Sequence, residues 1–289
     1  VPGGDTGQDH VVTLTRPQIS DLLSRHRLRP SRALGQNFVA DPNTVRRVAR
    51  LAAAGPGDRV VEIGAGLGSL TLALAETGAS VLAVEIDRHL VPALRSVVEP
   101  AGVEVLEGDA LALDWPAVLA ERHAGPWALV ANLPYNIATP LVIRLLEEVP
   151  AIARMLVMVQ REVAERLAAP AGTEPYGAAS VKVAYWATAA VVGRVPPTVF
   201  VPRPRVDSAL VSIVRRPVPG VAGAVVGYER LFAVVRAGFA QRRKMLRRAL
   251  EGVVSPAAFA AAGVAPTARA EELDLEAWAR LAAATAAPG

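Results

Sequence analysis

Between residues 59 and 214, apolar runs that read as buried strands alternate with stretches of helical spacing, which constrains the fold more than any other feature of this 289-residue sequence. The strand-like runs are 59–63, 80–85, 103–106, 128–131, 155–159 and 210–214. Helical patterns occupy 70–77, 90–98, 140–148 and 162–168. Such alternation predicts a parallel α/β sheet covered by helices on both faces. Upstream, residues 1–15 read as a loose tail. Helices are predicted over 17–28 and 43–54, with an irregular basic segment between them, and the second helix stops at Gly55-Pro56-Gly57. Near 187–201 the pattern turns β-like again, which predicts antiparallel strands closing the sheet. Pro217-Val218-Pro219-Gly220 then breaks the chain. Beyond it, 228–238, 242–250, 256–262 and 271–284 read as helices, so the division predicted is 16–217 and 218–289.

Composition narrows the chemistry. A hydrophobic content of 52% with 20% charged residues excludes a wholly disordered chain. The absence of cysteine excludes disulfides, thiolate metal sites and cysteine nucleophiles. The histidines (His10, His26, His89, His123) have no metal-ligand spacing, so no metal is expected. The start, Val1-Pro2-Gly3-Gly4-Asp5, lacks a basic-then-apolar leader. The longest uncharged stretch, 252–268, contains two prolines and is too short to cross a bilayer. A soluble, cytoplasmic chain with no membrane partner is therefore expected. Lys182 and Lys244 are the two lysines among 31 basic side chains, which leaves 29 arginines. These cluster at 16–50 and, without any acid, at 236–248. Clusters of this kind suit a phosphate backbone, although each reads equally well as a solvated helix face.

The first strand-like run enters Gly64-Ala65-Gly66-Leu67-Gly68, with Glu62 two positions before the first glycine. Glycine lets backbone turn tightly and approach a ligand closely. Alone, such a turn is a nucleotide-binding loop or merely a tight turn, and its G-x-G-x-G spacing departs from the G-x-G-x-x-G dinucleotide pattern. The second run ends in Glu85, placed to accept hydrogen bonds from ribose hydroxyls. The third leads into Gly108-Asp109-Ala110, where Asp109 is placed to accept from an adenine amine. Either acid alone reads as a cap or a solvated strand end. In this order, the three features point to an adenosyl ligand.

The fourth run ends in Asn132-Leu133-Pro134-Tyr135-Asn136. Adenine's exocyclic amine is a poor nucleophile because its lone pair is delocalised into the ring. Two acceptors, the Asn132 side-chain oxygen and the Leu133 carbonyl, suit its two N–H bonds as positive charge builds on nitrogen. Pro134 stiffens the turn, and Tyr135 offers a face on which a base can stack.

These motifs, together with Gly35-Gln36-Asn37-Phe38, Phe200-Val201-Pro202-Arg203-Pro204-Arg205-Val206-Asp207-Ser208 and 239–246, fall in one order. From about Leu34 to Leu250 the sequence resembles the small-subunit (16S) ribosomal RNA adenine dimethyltransferases of the kasugamycin-sensitivity type. The resemblance implies a Rossmann-like class I S-adenosylmethionine (SAM) methyltransferase sheet over 16–217, with a small all-helical domain over 218–289. The activity it implies is dimethylation of two adjacent adenosines in a terminal loop of small-subunit RNA, linked to ribosome biogenesis. SAM contacts are implied at Asn37, Val39, Gly64, Gly66, Glu85, Asp109 and Asn132, with Val39 and Ala65 standing where the family commonly has Leu and Pro. Phe200 resembles the aromatic that stacks on the flipped base opposite Tyr135. Arg242, Arg243, Lys244 and Arg247 are expected to hold RNA phosphates, and the partner is small-subunit RNA or a pre-assembled small subunit, met by a monomer.

The erythromycin-resistance methyltransferases, which act on large-subunit (23S) RNA, share several of these motifs. Leu133, Tyr135 and the 239–244 stretch fit the small-subunit enzymes better. A dehydrogenase is disfavoured by the glycine spacing. A non-catalytic RNA-binding or transcription factor on the same fold would not need the complete methyl-transfer set found here.

Overall fold

The computed structural model describes residues 13–31, 33–221 and 226–286. In chain order the strands are β1 (Phe38–Val39), β2 (Arg59–Ile63), β3 (Ser80–Glu85), β4 (Glu104–Glu107), β5 (Trp127–Asn132), β6 (Ile152–Gln160), β7 (Ala187–Val195), β8 (Phe200–Val201) and β9 (Ser208–Arg215). The α-helices are α1 (Arg16–Arg25), α2 (Pro42–Leu51), α3 (Ser69–Ala75), α4 (Val91–Val98), α5 (Trp115–Ala120), α6 (Ala138–Glu148), α7 (Arg161–Leu167), α8 (Ala178–Trp186), α9 (Tyr228–Ala240), α10 (Leu246–Ala249), α11 (Pro256–Ala262) and α12 (Leu275–Ala286). The chain forms two compact units. Of the described residues, the first takes those within 1–136, 155–158 and 195–207; the second takes those within 137–154, 159–194 and 208–289. The compact units group α6 to α8, most of β7 and β9 with the C-terminal helices.

In the first unit the strand order is β4-β3-β2-β5-β6. Strand β2 lies parallel to β3, with Val61 opposite Leu82, and parallel to β5, with Val61 opposite Leu129; β3 lies parallel to β4. Val60, Val61, Ala83, Leu129 and Ala131 are at most 1% exposed, which is why the central positions of these runs are apolar. Helix α2 starts where Asp41 accepts from the Asn43 and Thr44 amides and Pro42 supplies a preset φ. Strand order reverses at β2: the chain leaves it for β3 on one side and reaches β5 on the other. In parallel sheets the crevice at such a reversal, at the carboxyl ends of the strands, is where ligands bind.

The second unit takes in the two ends of β6 together with β9 and β7, and a helical core built on Leu231, Phe232, Val235, Leu246, Phe259, Trp278 and Leu281. Arg215 on β9 donates to the carbonyls of Leu145, Leu146, Val149 and Ile152, and so adds hydrogen bonds at the C-terminal end of α6 and the turn that follows it.

The structure corrects the sequence reading in several places. The tail expected at 1–15 lies mostly outside the described residues, but Thr13 and Leu14 are already buried. The β-like stretch 187–201 divides at Pro196-Pro197: β7 joins β9, whereas β8 pairs antiparallel with β1 in a separate ribbon. Prolines cannot donate to a ladder, so the strand ends there. The helix expected over 242–250 shrinks to α10, because residues 241–244 form a turn. Helices α5 and α8 have no counterpart in the sequence pattern; α5 is one short turn and a half, and α8 is apolar with little one-sided pattern.

Candidate active site

The candidate site is built entirely within the first unit. Gly64, Gly66 and Gly68 have φ of +74°, +60° and +90°. This left-handed backbone is costly for any residue with a Cβ. A Cβ at Gly66 would press on the Phe38 ring at 3.0 Å, and one at Gly68 would collide with Val98 Cγ1 at 2.5 Å. The loop is pinned to β3: the Gly64 and Ala65 amides donate to the Val84 carbonyl at 2.8 and 3.2 Å.

Glu85 is 5% exposed. Its Oε2 accepts from the Gly66 amide at 2.8 Å and its Oε1 from the Asp87 amide at 2.9 Å. Burial pushes its pKa up, and these backbone donors pull it back. Each carboxylate oxygen retains acceptor capacity beyond one hydrogen bond. Asp109 is exposed at the end of β4, and its Oδ1 accepts from the Leu111 amide at 2.8 Å. It is thus partly the turn cap that its sequence context allowed.

Asn132 ends β5. Its Nδ2 donates to the Asn37 carbonyl at 3.0 Å. A carbonyl can only accept, so this bond fixes which way the amide points and leaves Oδ1 as the acceptor face. Leu133 is buried, and its amide donates to the Met158 carbonyl at 3.0 Å, which anchors the turn to β6. Pro134 packs against the glycines: its Cβ lies 3.2 Å from where a Gly35 Cβ would stand. Tyr135 is partly exposed.

Phe38 and Val39 are buried in the β1–β8 ribbon, where Val39 stands opposite Phe200. The structure departs here from the stacking expected of Phe200. Its ring is 1% exposed, so a base reaches it only after the ring is uncovered, while stacking on Tyr135 needs no such step. Sequence reasoning also passed over Arg16, which donates to the Thr198 and Phe200 carbonyls at 2.8 and 3.4 Å and ties α1 to β8. Its distance in sequence left no local signal.

Three buried side-chain atoms around the glycine loop have no hydrogen-bond partner in the protein: Glu62 Oε2, Ser69 Oγ and Thr71 Oγ1. Burial raises the Glu62 carboxyl from its ordinary 4.5 to about 8. Thr71 lies close enough to offset a little of that rise, and Glu85 adds to it, but neither Glu62 Oε2 nor Thr71 Oγ1 completes a hydrogen bond. A glycine cradle, a buried carboxylate with spare acceptor capacity and unpartnered polar atoms together fit a ligand with ribose hydroxyls and a charged amino-acid end.

The basic residues belong to the second unit. Arg242 is committed to structure: Nε pairs with Glu271 at 2.6 Å, and the guanidinium also donates to the Glu174 carbonyl. Arg243, Lys244 and Arg247 are exposed. Arg242 therefore meets a phosphate only in competition with Glu271. Among the described residues no group of three or more His, Cys, Asp or Glu is placed to hold a metal ion. Nor is any described helix long and apolar enough to cross a membrane.

The parallel sheet, the strand-end acids and the glycine loop define a class I SAM-dependent methyltransferase. Comparison with known proteins narrows the class. The profile of the ribosomal RNA adenine dimethylase family matches residues 27–287, and the chain belongs to that family. It is 50% identical over 275 residues to the ribosomal RNA small subunit methyltransferase A of Kineococcus radiotolerans, covering 93% of this chain and 91% of that one. The protein of that name from Cutibacterium acnes is also 50% identical, over 91% of both chains. Among solved structures, the 23S rRNA methyltransferase ErmE matches with a TM-score of 0.66 at 28% identity, covering 85% of this chain and 98% of that one. A dimethyladenosine transferase from Plasmodium falciparum shares the fold with the same TM-score at 23% identity, over 83% and 94% of the two chains. The chain is thus a SAM-dependent ribosomal RNA adenine methyltransferase.

Glu85→Ala is expected to weaken SAM binding by about 1–3 kcal/mol, the usual loss for a charge-assisted hydrogen bond. Titration calorimetry checks this, and unchanged affinity removes Glu85 from the ribose site.

Proposed function

We propose that this enzyme dimethylates the exocyclic amines of two adjacent adenosines in a terminal loop of small-subunit ribosomal RNA, as a step in ribosome biogenesis. The observation that carries the small-subunit reading is the 50% identity, over nine-tenths of both chains, to proteins named for that subunit. The match to the large-subunit enzyme ErmE is more distant, at 28%. We further propose that the enzyme acts in the cytoplasm as a monomer, on the RNA itself or on a pre-assembled small subunit.

In this reading Glu85 accepts from the ribose hydroxyls and Asp109 from the adenine amine of the cofactor. Asn37, Val39 and Gly64 line its methionine end, Gly66 contacts it through the glycine loop, and Asn132 borders it. Bound there, SAM supplies an electrophilic methyl group. Asn132 Oδ1 and the Leu133 carbonyl accept the N–H bonds of the target amine. Their partial negative charge stabilises the positive charge that develops on nitrogen during transfer. Pro134 keeps the two acceptors in one turn, and Tyr135 supplies the stacking face, with Phe200 behind it once its ring is uncovered. A base splayed from an RNA loop costs little to unstack. After one methyl is added, the amine still carries an N–H and a lone pair, so a second transfer is chemically open.

Arg243, Lys244 and Arg247 hold RNA through phosphates and read no sequence. Reversing Arg243 and Lys244 to Glu is expected to weaken RNA binding and flatten its dependence on salt, with SAM affinity unchanged. An unchanged salt slope returns these residues to a solvated surface.

The product decides the substrate. Purified enzyme, SAM and either subunit's RNA, followed by nucleoside analysis, is expected to yield dimethyladenosine in the small-subunit RNA alone. Methylation confined to large-subunit RNA overturns the small-subunit reading, and a product that stops at monomethyladenosine overturns dimethylation.

A further inference from the structure

One short segment, residues 35–40, touches the glycine loop, the Asn132–Pro134 turn, the Phe200 strand and Asp87. Its Phe38 ring packs on the glycine loop, where a Gly66 Cβ would meet it at 3.0 Å. Its Asn37 carbonyl holds the Asn132 amide at 3.0 Å. Gly35, at φ +64°, lies against Pro134. Val39 pairs with Phe200, and the Ala40 amide donates to the Val199 carbonyl at 2.7 Å. The segment has one side-chain tie to the ribose side of the site, made by Gln36. Gln36 Nε2 donates to Asp87 Oδ2 at 2.8 Å, and Gln36 Oε1 accepts from the Ser31 amide at 2.7 Å. Asp87 is itself fixed: its Oδ1 accepts from the His89 amide at 3.0 Å, and its amide donates to Glu85 at 2.9 Å.

We infer that Gln36 is a positioning residue for methyl transfer. By clasping the 35–40 segment to Asp87, it holds the Asn37 carbonyl where that group orients the Asn132 amide. This rests on the reading of Asn132 as the acceptor for the target amine. A hydrogen bond that sets an acceptor's direction acts on the transfer step, because electrostatic stabilisation depends on where the acceptor points as charge develops. Gln36 therefore governs the rate at saturation and leaves RNA affinity alone.

The chemistry of the clasp yields its own test. A backbone amide can only donate and a carboxylate can only accept, so the orientation of the Gln36 amide is determined. Gln36→Glu faces two acceptors against each other. Asp87→Asn also fails, because whichever way its amide turns, a nitrogen that can only donate faces either the His89 amide or Gln36 Nε2. Joined in one protein, the two changes restore every bond. The carboxylate introduced at position 36 accepts from the Ser31 amide and from the side-chain amide introduced at position 87, whose oxygen still accepts from the His89 amide.

The experiment measures single-turnover methylation of unmodified small-subunit RNA at saturating SAM and RNA, together with RNA affinity. Each single variant is expected to be at least about tenfold slower, and the double variant within about threefold of wild type, the pattern of a directly coupled pair. RNA affinity is expected to be the same in all four proteins. Gln36→Ala, which brings in no charge, supplies the same reading if Gln36→Glu does not fold. Single variants at the wild-type rate overturn the inference, as does a double variant no faster than the singles. Asn132→Ala is measured alongside: if it is slow while the clasp variants are not, the clasp fails and the reading of Asn132 stands. If Asn132→Ala runs at the wild-type rate, that reading fails instead.

Discussion

Asn132→Ala is expected to lower the single-turnover rate of methyl transfer by roughly two to three orders of magnitude, the cost of removing one preorganised transition-state partner. The amide carries two duties at once. Its Nδ2 is tied to the Asn37 carbonyl at 3.0 Å, and the tie aims Oδ1. Alanine removes both the acceptor and the tether. Asn132→Asp keeps an acceptor but turns a carboxylate toward the Asn37 carbonyl, so it is expected to be similarly slow. RNA affinity is expected to change little in either variant, because phosphate contacts rather than base contacts dominate it. Rates within threefold of wild type at saturating substrates, measured by rapid quench, remove Asn132 from the chemistry.

The second large effect concerns stability. Glu62 is 1% exposed, and burial lifts its carboxyl from 4.5 to about 8. Across that window the unfolded chain gives up the proton while the folded chain keeps it. Folding then binds an extra proton, and stability falls as pH rises from 4.5 to 8. At about 1.4 kcal/mol for each pKa unit the whole shift is worth about 5 kcal/mol, of which about 4 kcal/mol is lost between pH 4.5 and 8. Glu62→Gln does not titrate. The difference in unfolding free energy, wild type minus variant, is therefore expected to drop by about that amount between pH 4.5 and 8. Urea unfolding of the ligand-free protein across this range measures it. Parallel pH profiles for the two proteins show that Glu62 is already ionised in the fold.

Strands β2 and β3 were legible to the residue because most of their positions are buried and apolar, with Arg59 and Ser80 at their starts and the carboxylates Glu62 and Glu85 as the exceptions. The acceptor motif and the glycine loop were legible because their chemistry demands particular residue types in short runs. The β1–β8 ribbon was not. It joins two-residue strands far apart in sequence, with Phe38 opposite Val201, and two residues carry no periodicity. The ion pair of Arg242 was hidden for a related reason: its partners Glu271 and Glu174 are distant in sequence.

By itself, the sequence determined the α/β class, the strand-end acids, the glycine loop and the Asn132–Asn136 motif, since each is written in local residue types and spacing. Tertiary structure alone decided which atoms act together. It set the Asn132 amide on the Asn37 carbonyl, closed Phe200 away from solvent, spent Arg242 on Glu271 and left Glu62 buried without a full partner. The physical reason is range. Propensity, capping and turn chemistry act over a few residues of chain, whereas hydrogen-bond direction and desolvation depend on neighbours that only the folded backbone brings within about 3 Å.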